Sequence, residues 1–249
     1  MSRQRSIAVS SPLRRIHGLD IALRVEGEGD PLLLINGITR PLQSWGPFTR
    51  ELRRRTVVSF DAPGVGASPT PALPLSIPAL AALAVSVLDA AGLDDADVLG
   101  LSHGGAVAQQ LAADAPHRVR RLILVSTSCG VGATPGGRRV LRGLGAPRHA
   151  NPWSFVDPLG LLWQSLAFSS WSSIPFLGSI EAPTLVVCGT HDRVVPPENS
   201  RVLARRIPGA SLVMLPGGHD LQRPEPAKAL AHVVERFLSQ TPTKGHEHA

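Results

Sequence analysis

The sequence has few cysteines: Cys129 and Cys188 are the only two among its 249 residues. Two cysteines cannot form the disulfide framework of a small secreted domain, and no Cys-x-x-Cys or Cys/His spacing indicates a zinc site. Cys188 lies in the apolar run Leu-Val-Val-Cys-Gly, where a thiol behaves as a small buried hydrophobic group. The cysteines therefore exclude a disulfide scaffold, and we predict no bound metal.

Long apolar runs are also absent. The longest candidate, from Ala79 to Ala91, follows Pro78 and is interrupted by Ser86 and Asp89, so it is too short to span a membrane. The first fifteen residues, MSRQRSIAVSSPLRR, contain basic residues but no continuous apolar stretch of the kind found in signal peptides. We therefore expect a cytoplasmic protein with no transmembrane segment.

Lysine is scarce: Lys228 and Lys244 are the only two in the sequence. The net charge is +6, and arginine supplies nearly all of the positive charge. The arginines are scattered, often in adjacent pairs, without interleaved aromatic residues or a nucleic-acid-binding motif. This pattern is typical of a solvated basic surface, and we predict no nucleic-acid partner. Attraction to an acidic surface stays open as an alternative, and no pattern predicts an oligomeric state.

What the sequence does have is an alternation of short apolar runs and helical patterns. Almost continuously apolar runs of this length are typical of strands that are buried on both faces of a parallel sheet. The six runs are Pro31–Ile35, Thr56–Phe60, Asp97–Leu101, Leu122–Val125, Thr184–Val187 and Ser211–Leu215. Ile21–Glu26, with Ser6–Ser10 as a further candidate, would add antiparallel strands at one edge.

The segments between these runs have apolar residues at three- and four-residue spacing, which predicts helices. The predicted helices are Pro78–Ala91, Gly104–Ala115, Glu198–Ile207 and Pro226–Leu238. Alternating strands and helices with two-sided burial predict an α/β fold, a mostly parallel central sheet flanked by helices.

The alternation stops once, over residues 127–182, which have no strand pattern but contain three of the four tryptophans. An insertion at the carboxyl edge of a sheet is typical of a cap over an active site, so we predict a short cap here. A poorly structured connector is the alternative. The predicted organisation is a core of residues 1–126 and 183–240, the cap of 127–182, and a flexible tail of 241–249.

The strongest local motif is Gly100-x-Ser102-x-Gly104, which lies between a predicted strand and a predicted helix. This is the context of a nucleophile elbow, a sharp turn that lifts a serine hydroxyl clear of the sheet. The flanking chain passes so closely in such a turn that side chains at the two glycine positions would clash. We therefore predict Ser102 as a nucleophile.

A serine nucleophile needs a general base, and in folds with this elbow the chain order is serine, acid, histidine. His219 fits because it follows the last strand run and precedes the last helix, whereas His17, His117, His232 and His103 fit worse by position. Asp192, after the run Thr184–Val187, is the predicted acid that orients His219, with Glu198 as the nearest competitor.

An oxyanion hole requires two backbone N–H groups. We predict that His103, the residue after the nucleophile, and Ile38, in the loop after the first core strand, supply them. The glycine-rich turn that begins at Asp61 lacks both the Gly-Lys-Ser/Thr ending and the dinucleotide-binding spacing. We interpret it as a structural loop and predict no cofactor.

These motifs resemble the α/β-hydrolase superfamily and, more narrowly, the intracellular depolymerases of medium-chain-length poly(3-hydroxyalkanoates). The stretches that carry the resemblance are PLLLINGI (31–38), FDAPGVGAS (60–68), LGLSHGGAVAQQLA (99–112), LVSTSCG (124–130), APRH (146–149), WQSLAFSSWSSI (163–174) and PTLVVCGTHD (183–192). The elbow and triad motifs specify only the superfamily. The Asn36-Gly37 pair and the 163–174 stretch point to the narrower group.

The resemblance implies an α/β-hydrolase fold in which Ser102, Asp192 and His219 form a triad that cleaves a stored polyester into hydroxy acids. It implies a hydrophobic ester substrate and a polyester granule surface as partners. The chain departs from the family pattern at His103, where tryptophan is expected, and in a shorter stretch between Arg148 and Leu162. A general carboxylesterase or lactonase, a carbon–carbon bond hydrolase, a haloperoxidase and a non-catalytic binding protein are the alternatives.

Overall fold

The computed structural model describes residues 12–136 and 157–240. The predicted strand Ser6–Ser10, the predicted tail 241–249 and part of the predicted cap, with Trp153 and the 146–149 stretch, lie outside these residues.

A single sheet of eight strands forms the centre of the part of the chain that the structure describes. The strands are β1 (Leu13–Ile16), β2 (Leu19–Glu26), β3 (Asp30–Ile35), β4 (Arg55–Phe60), β5 (Ala96–Leu101), β6 (Val119–Val125), β7 (Thr184–Gly189) and β8 (Ser211–Leu215). Their order in the sheet is β1-β2-β4-β3-β5-β6-β7-β8, with β1 and β2 antiparallel to their neighbours and all other pairs parallel. The mostly parallel sheet is confirmed.

All six predicted core strands are present, and the largest boundary error is at the start of β6. We predicted Leu122 as its first residue, whereas the strand begins at Val119. The difference arises because Arg120 and Arg121 interrupt the apolar pattern, although both pair with the buried carboxylate of Asp97 at the amino edge of the sheet. The predicted antiparallel strand Ile21–Glu26 is confirmed as β2.

Helices cover both faces of the sheet. They are α1 (Gly46–Thr49), α2 (Ile77–Ala90), α3 (His103–Asp114), α4 (Pro158–Ser169), α5 (Pro197–Arg206) and α6 (Pro224–Leu238). Helices α2, α3 and α5 pack on one face of the sheet, and helices α1 and α6 pack on the other. Side chains of the central strands alternate between the two faces, so that Leu33 packs on one and Leu32 and Leu34 on the other. No helix in the described ranges combines the length and apolarity needed to cross a membrane.

Helix α4 lies between β6 and β7, within the predicted cap, where we assigned no helix. It escaped prediction because its pattern is inverted: Gln164 is buried, while Leu159, Leu162 and Leu166 are exposed. The local signal was its first turn, where the Asp157 side chain accepts a hydrogen bond from the Leu159 N–H and Pro158 occupies the first helical position.

The carboxyl ends of the parallel strands all lie at one edge of the sheet, and the loops that carry the predicted site residues follow these ends. Ser102 follows β5, a tight turn over residues 37–40 follows β3, Asp192 follows β7 and His219 follows β8. Ligand sites of open α/β sheets form at the carboxyl ends of their strands, so a functional site is expected at this edge.

Candidate active site

Ser102 occupies a strained turn between β5 and α3. Its φ of 54° and ψ of −118° lie in a region that residues with a side chain rarely adopt. The glycines on either side permit the turn, because a Cβ on Gly100 would lie 2.4 Å from the Gly104 carbonyl oxygen, and one on Gly104 would lie 2.2 Å from the Ile35 carbonyl oxygen. The local structure is the predicted elbow.

A continuous hydrogen-bond chain joins the three residues that were predicted from their order. His219 Nε2 lies 3.0 Å from Ser102 Oγ, and His219 Nδ1 lies 2.8 Å from Asp192 Oδ2. The Asp192 side chain is fully buried and the His219 side chain is 14% exposed, so the chain runs from the protein interior toward the surface. This geometry lets a histidine take the proton of a serine hydroxyl while a carboxylate holds the ring in orientation.

Asp192 is held by its own loop. Its second carboxylate oxygen, Oδ1, accepts hydrogen bonds from the N–H groups of Val194 and Val195, at 2.8 and 2.9 Å. The competing acid, Glu198, lies at the start of α5 and pairs with Arg201 on the exposed surface. The structure therefore brings Asp192, and not Glu198, to His219.

The loops that carry Asp192 and His219 are packed tightly together. A Cβ on Gly189, the last residue of β7, would lie 2.2 Å from the Gly218 carbonyl oxygen. The backbone N–H groups of Thr190 and His191 donate to the carbonyls of Leu215 and Gly217. These contacts set the distance between acid and histidine through the backbone.

The turn over residues 37–40 passes directly beside Ser102, since a Cβ on Gly37 would lie 3.4 Å from Ser102 Cβ. Three of the four backbone N–H groups in this turn donate hydrogen bonds. The Gly37 N–H donates to Asn36 Oδ1, the Thr39 N–H to Gln164 Oε1 and the Arg40 N–H to the Gly37 carbonyl. Of the four N–H groups in this turn, that of Ile38 has no acceptor among the described residues.

Asn36 braces this turn from the other side. Its amide nitrogen donates to the Pro41 carbonyl at 2.9 Å and to Ser44 Oγ at 2.8 Å, while its amide oxygen accepts from the Gly37 N–H. The asparagine that marks the narrower resemblance thus makes three side-chain hydrogen bonds to the turn and to the chain that follows it.

His103 begins α3, so its backbone N–H is one of the groups that an α-helix leaves without an internal partner. Its ring is buried against α4, with its centroid 6.2 Å from that of Phe168. Burial lowers the pKa of His103 to about 4, and a hydrogen bond to the backbone of Gln164 opposes this effect. The imidazole is therefore neutral at physiological pH.

Asp61 lies outside the chain of hydrogen bonds to His219. Its carboxylate accepts from the N–H groups of Leu42 and Ala67, at 2.6 and 2.9 Å, and thereby ties two loops together. Burial raises the pKa of Asp61, and these two bonds partly counter the rise. Its position agrees with a structural loop.

Two contacts at this edge were not anticipated from the sequence. One is the bond from Thr39 to Gln164, and the other is the ion pair between Arg40 and Asp220. Gln164 lies in the resemblance segment 163–174, which was the only local signal. Throughout residues 12–136 and 157–240, no cluster of three or more His, Cys, Asp or Glu side chains is arranged to hold a metal ion.

Several known proteins are similar to this chain along most of its length. A family model described as alpha/beta hydrolase fold matches residues 30–140 and 157–226. A poly(3-hydroxyalkanoate) depolymerase from Ectopseudomonas oleovorans is 36% identical in an alignment of 240 positions, and the alignment covers 84% of this chain and 84% of that protein. A 2-hydroxymuconate semialdehyde hydrolase from Pseudomonas putida is 32% identical in an alignment of 256 positions, which covers 88% of this chain and 90% of that protein.

Solved structures show the same architecture. The crystal structure of the enol-lactonase from Burkholderia xenovorans LB400 superposes with a TM-score of 0.82 at 26% identity, covering 92% of this chain and all of that chain. The residues that the family model matches include β3 to β8, the elbow and the loops at the carboxyl edge.

Proposed function

This chain belongs to the α/β-hydrolase family, and we propose that it is a serine hydrolase that cleaves aliphatic ester bonds through an acyl-enzyme. The expected α/β-hydrolase fold and the resemblance to poly(3-hydroxyalkanoate) depolymerases are both confirmed. The single observation that carries the proposal is the hydrogen-bond chain from Ser102 through His219 to Asp192.

The proposed acylation uses each of these groups once. Ser102 Oγ attacks the ester carbonyl carbon while His219 Nε2 takes the hydroxyl proton, and Asp192 stabilises the resulting imidazolium. The carbonyl oxygen becomes an oxyanion, to which the backbone N–H groups of Ile38 and His103 donate. When the tetrahedral intermediate collapses, His219 gives its proton to the departing alcohol oxygen, and an acyl-Ser102 ester remains.

Deacylation repeats the sequence with water. His219 takes a proton from a water molecule as the water oxygen attacks the acyl carbon, and the oxyanion forms at the same pair of N–H groups. Collapse returns the proton to Ser102 Oγ and releases a carboxylic acid. Each donor of an oxyanion hole typically contributes about 3–4 kcal/mol to transition-state stabilisation.

For the substrate we propose the ester bonds of a poly(3-hydroxyalkanoate). The similarity to the depolymerase, at 36% identity over 84% of both chains, supports this class. Helix α4 supports it further, because Leu159, Leu162 and Leu166 follow helical spacing and are each more than 40% exposed. Under this proposal residues 127–182 form a cap, and the enzyme works in the cytoplasm at the surface of stored polyester.

Hydrolysis of small esters or lactones is the second candidate, supported by the structural similarity to the enol-lactonase. Hydrolysis of a carbon–carbon bond is the third, supported by the 32% identity to the 2-hydroxymuconate semialdehyde hydrolase. All three reactions can use the same serine, histidine and aspartate, so the substrate must be decided by experiment.

The test compares four kinds of substrate with the wild-type enzyme and the Ser102→Ala variant. They are p-nitrophenyl esters of two to twelve carbons, a latex of medium-chain polyhydroxyalkanoate, a small lactone and 2-hydroxymuconate semialdehyde. Clearing of the latex with preference for the longer esters is expected. Activity on short esters or the lactone alone favours the second candidate, and turnover of the semialdehyde alone favours the third. Absence of Ser102-dependent turnover on all four contradicts the proposal and favours a non-catalytic protein.

A further inference from the structure

The turn beside Ser102 holds a conformation that its own residues do not favour. The Arg40 N–H donates to the Gly37 carbonyl at 3.1 Å, which closes a four-residue turn with Thr39 in its third position. Thr39 has a φ of 61°, in the left-handed region. Turns with a positive φ at this position normally place glycine or asparagine there, and a β-branched residue is strained. Something outside the turn must therefore stabilise it.

The contact that does so comes from α4. Gln164 Oε1 accepts a hydrogen bond from the Thr39 N–H at 3.1 Å, across 125 residues of chain. Gln164 is only 4% exposed, and it is a polar residue on the buried side of a helix whose leucines face outward. Loss of this acceptor would leave the Thr39 N–H unsatisfied.

Helix α4 is itself anchored in the turn that precedes Gln164, which fixes the position from which this side chain extends. One turn earlier, Gly160 packs against the backbone of Gly64, where a Cβ would lie 2.3 Å from the Gly64 carbonyl oxygen. Trp163 Nε1 donates to the Pro71 carbonyl at 3.0 Å.

The His103 ring packs against Phe168, one turn further along α4 than Gln164. Helix α4 therefore contacts both segments that supply the oxyanion-hole N–H groups in the proposed function.

We propose that Gln164 is a positioning residue for the oxyanion hole, an inference that rests on the proposed function. By accepting from the Thr39 N–H, it holds the turn in the strained conformation that leaves the neighbouring Ile38 N–H available beside Ser102. Helix α4 thus sets the position of a group that contacts the transition state.

The test replaces Gln164 with methionine, which has similar length but no acceptor oxygen, and measures steady-state hydrolysis of the preferred p-nitrophenyl ester. We expect kcat to fall roughly 10- to 100-fold with KM changed less than about threefold, because an oxyanion donor acts only on the transition state. Affinity for an alkylboronic acid, which forms a tetrahedral adduct with the serine, should fall in parallel. Ser165→Ala, at an exposed position next along α4, is the matched control and should leave all three quantities unchanged.

Two further variants keep the test decisive if Gln164→Met folds poorly. Gln164→Asn retains an amide that is one methylene too short to reach Thr39, and it should show the same loss of kcat. Thr39→Gly combined with Gln164→Met should recover kcat at least severalfold over Gln164→Met alone, since glycine adopts a positive φ without strain. Circular dichroism and thermal unfolding establish that each variant is folded.

Unchanged kcat in folded Gln164→Met, or a rise in KM alone with boronic-acid affinity preserved, would overturn the inference and leave Gln164 as a packing or substrate-binding residue. An equal loss with and without Thr39→Gly would overturn it as well. Each of these results leaves Ser102-dependent turnover in the wild type intact, so the failure of this inference is distinguishable from failure of the proposed function.

Discussion

The guanidinium of Arg40 lies 2.5 Å from the carboxylate of Asp220, and this ion pair links the turn beside Ser102 to the loop that carries His219. Asp220 also pairs with Arg223 at 3.0 Å, at the start of α6. The side chains of Arg40 and Asp220 are 24% and 16% exposed, so the pair is screened by solvent only in part. Two loops that come from opposite ends of the chain are thereby held in one arrangement.

Replacing Arg40 with methionine should separate these loops while keeping most of the apolar contacts of the side chain. We expect kcat for ester hydrolysis to fall by about 10-fold, since small displacements of positioned groups have large effects on rate. The free energy of unfolding should fall by only about 1 kcal/mol, because the pair is partly exposed. Arg15→Met removes an exposed ion pair with Asp20 on the β1–β2 hairpin and serves as the control. Equal effects of the two variants on kcat would contradict this role.

The choice between the two candidate acids can be tested by matched amide substitutions. Asp192→Asn keeps an oxygen for the Val194 and Val195 N–H groups but no longer fixes the tautomer of His219, so kcat should fall by roughly 10⁴-fold. Glu198→Gln removes only a surface pair with Arg201 and should leave kcat within twofold of wild type. The measurement is steady-state hydrolysis of a p-nitrophenyl ester. A larger loss in Glu198→Gln than in Asp192→Asn would reverse the assignment.

The buried imidazole of His103 should make the protein less stable in mild acid. Its pKa is about 4 in the folded state, below the ordinary histidine value of 6.5, so the unfolded chain binds a proton first as the pH falls. The contribution of the neutral His103 ring to the free energy of unfolding is therefore fully present above about pH 6.5. It is lost progressively as the pH falls toward 4, by roughly 3 kcal/mol in total.

Urea unfolding of the wild type and of His103→Phe at several values between pH 7 and pH 4 measures this contribution. Burial raises the pKa of Asp61 and of Asp97, and both carboxyls add an opposite dependence on pH, but they are present in both proteins. The difference between the two proteins isolates His103. Parallel stability curves would show that the ring is protonated as readily in the folded state as in the unfolded state.

Three arginines at the amino edge of the sheet share one buried carboxylate as an ion-pair partner. Asp97 is fully buried and lies within 3.4 Å of the guanidinium groups of Arg55, Arg120 and Arg121. Burial raises the pKa of Asp97, while the three arginines act to lower it. Asp97→Asn would leave these cations without their shared counter-charge, and we expect a loss of about 3 kcal/mol in unfolding free energy.

The same substitution should leave catalysis unchanged in the folded fraction, because Asp97 and Ser102 lie about 16 Å apart along β5 at ~3.3 Å per residue. Urea denaturation and kcat per folded molecule are the two measurements. Asp20→Asn, in the exposed pair with Arg15, is the control and should be nearly neutral. A loss of kcat as large as the loss of stability would indicate that the arginine cluster reaches the active site.

Local sequence patterns are enough to predict much of this fold. The runs that became β3, β5 and β8 are recognisable because strands buried on both faces must be apolar at every position. The elbow at Ser102 is recognisable because only glycine tolerates the close approach at positions 100 and 104. The places of Asp192 and His219 followed from chain order, since parallel strands deliver successive loops to one edge of the sheet.

Helix α4 shows where local patterns fail. Its exposed leucines and buried Gln164 reverse the usual arrangement, so its periodicity predicts the wrong face. Arg120 and Arg121 misled the prediction of β6 for the same reason, because a buried partner from another strand made the charged residues acceptable there.

By itself, then, the sequence determined the order of the six core strands and of the four helices α2, α3, α5 and α6, the elbow at Ser102 and the order of the residues that join it. Only the tertiary structure decided that Gln164 reaches Thr39 and that Arg40 meets Asp220, pairs separated by 125 and 180 residues. The physical reason is that periodicity and turn chemistry act over a few residues, whereas a hydrogen bond between distant loops depends on how the elements that carry them pack.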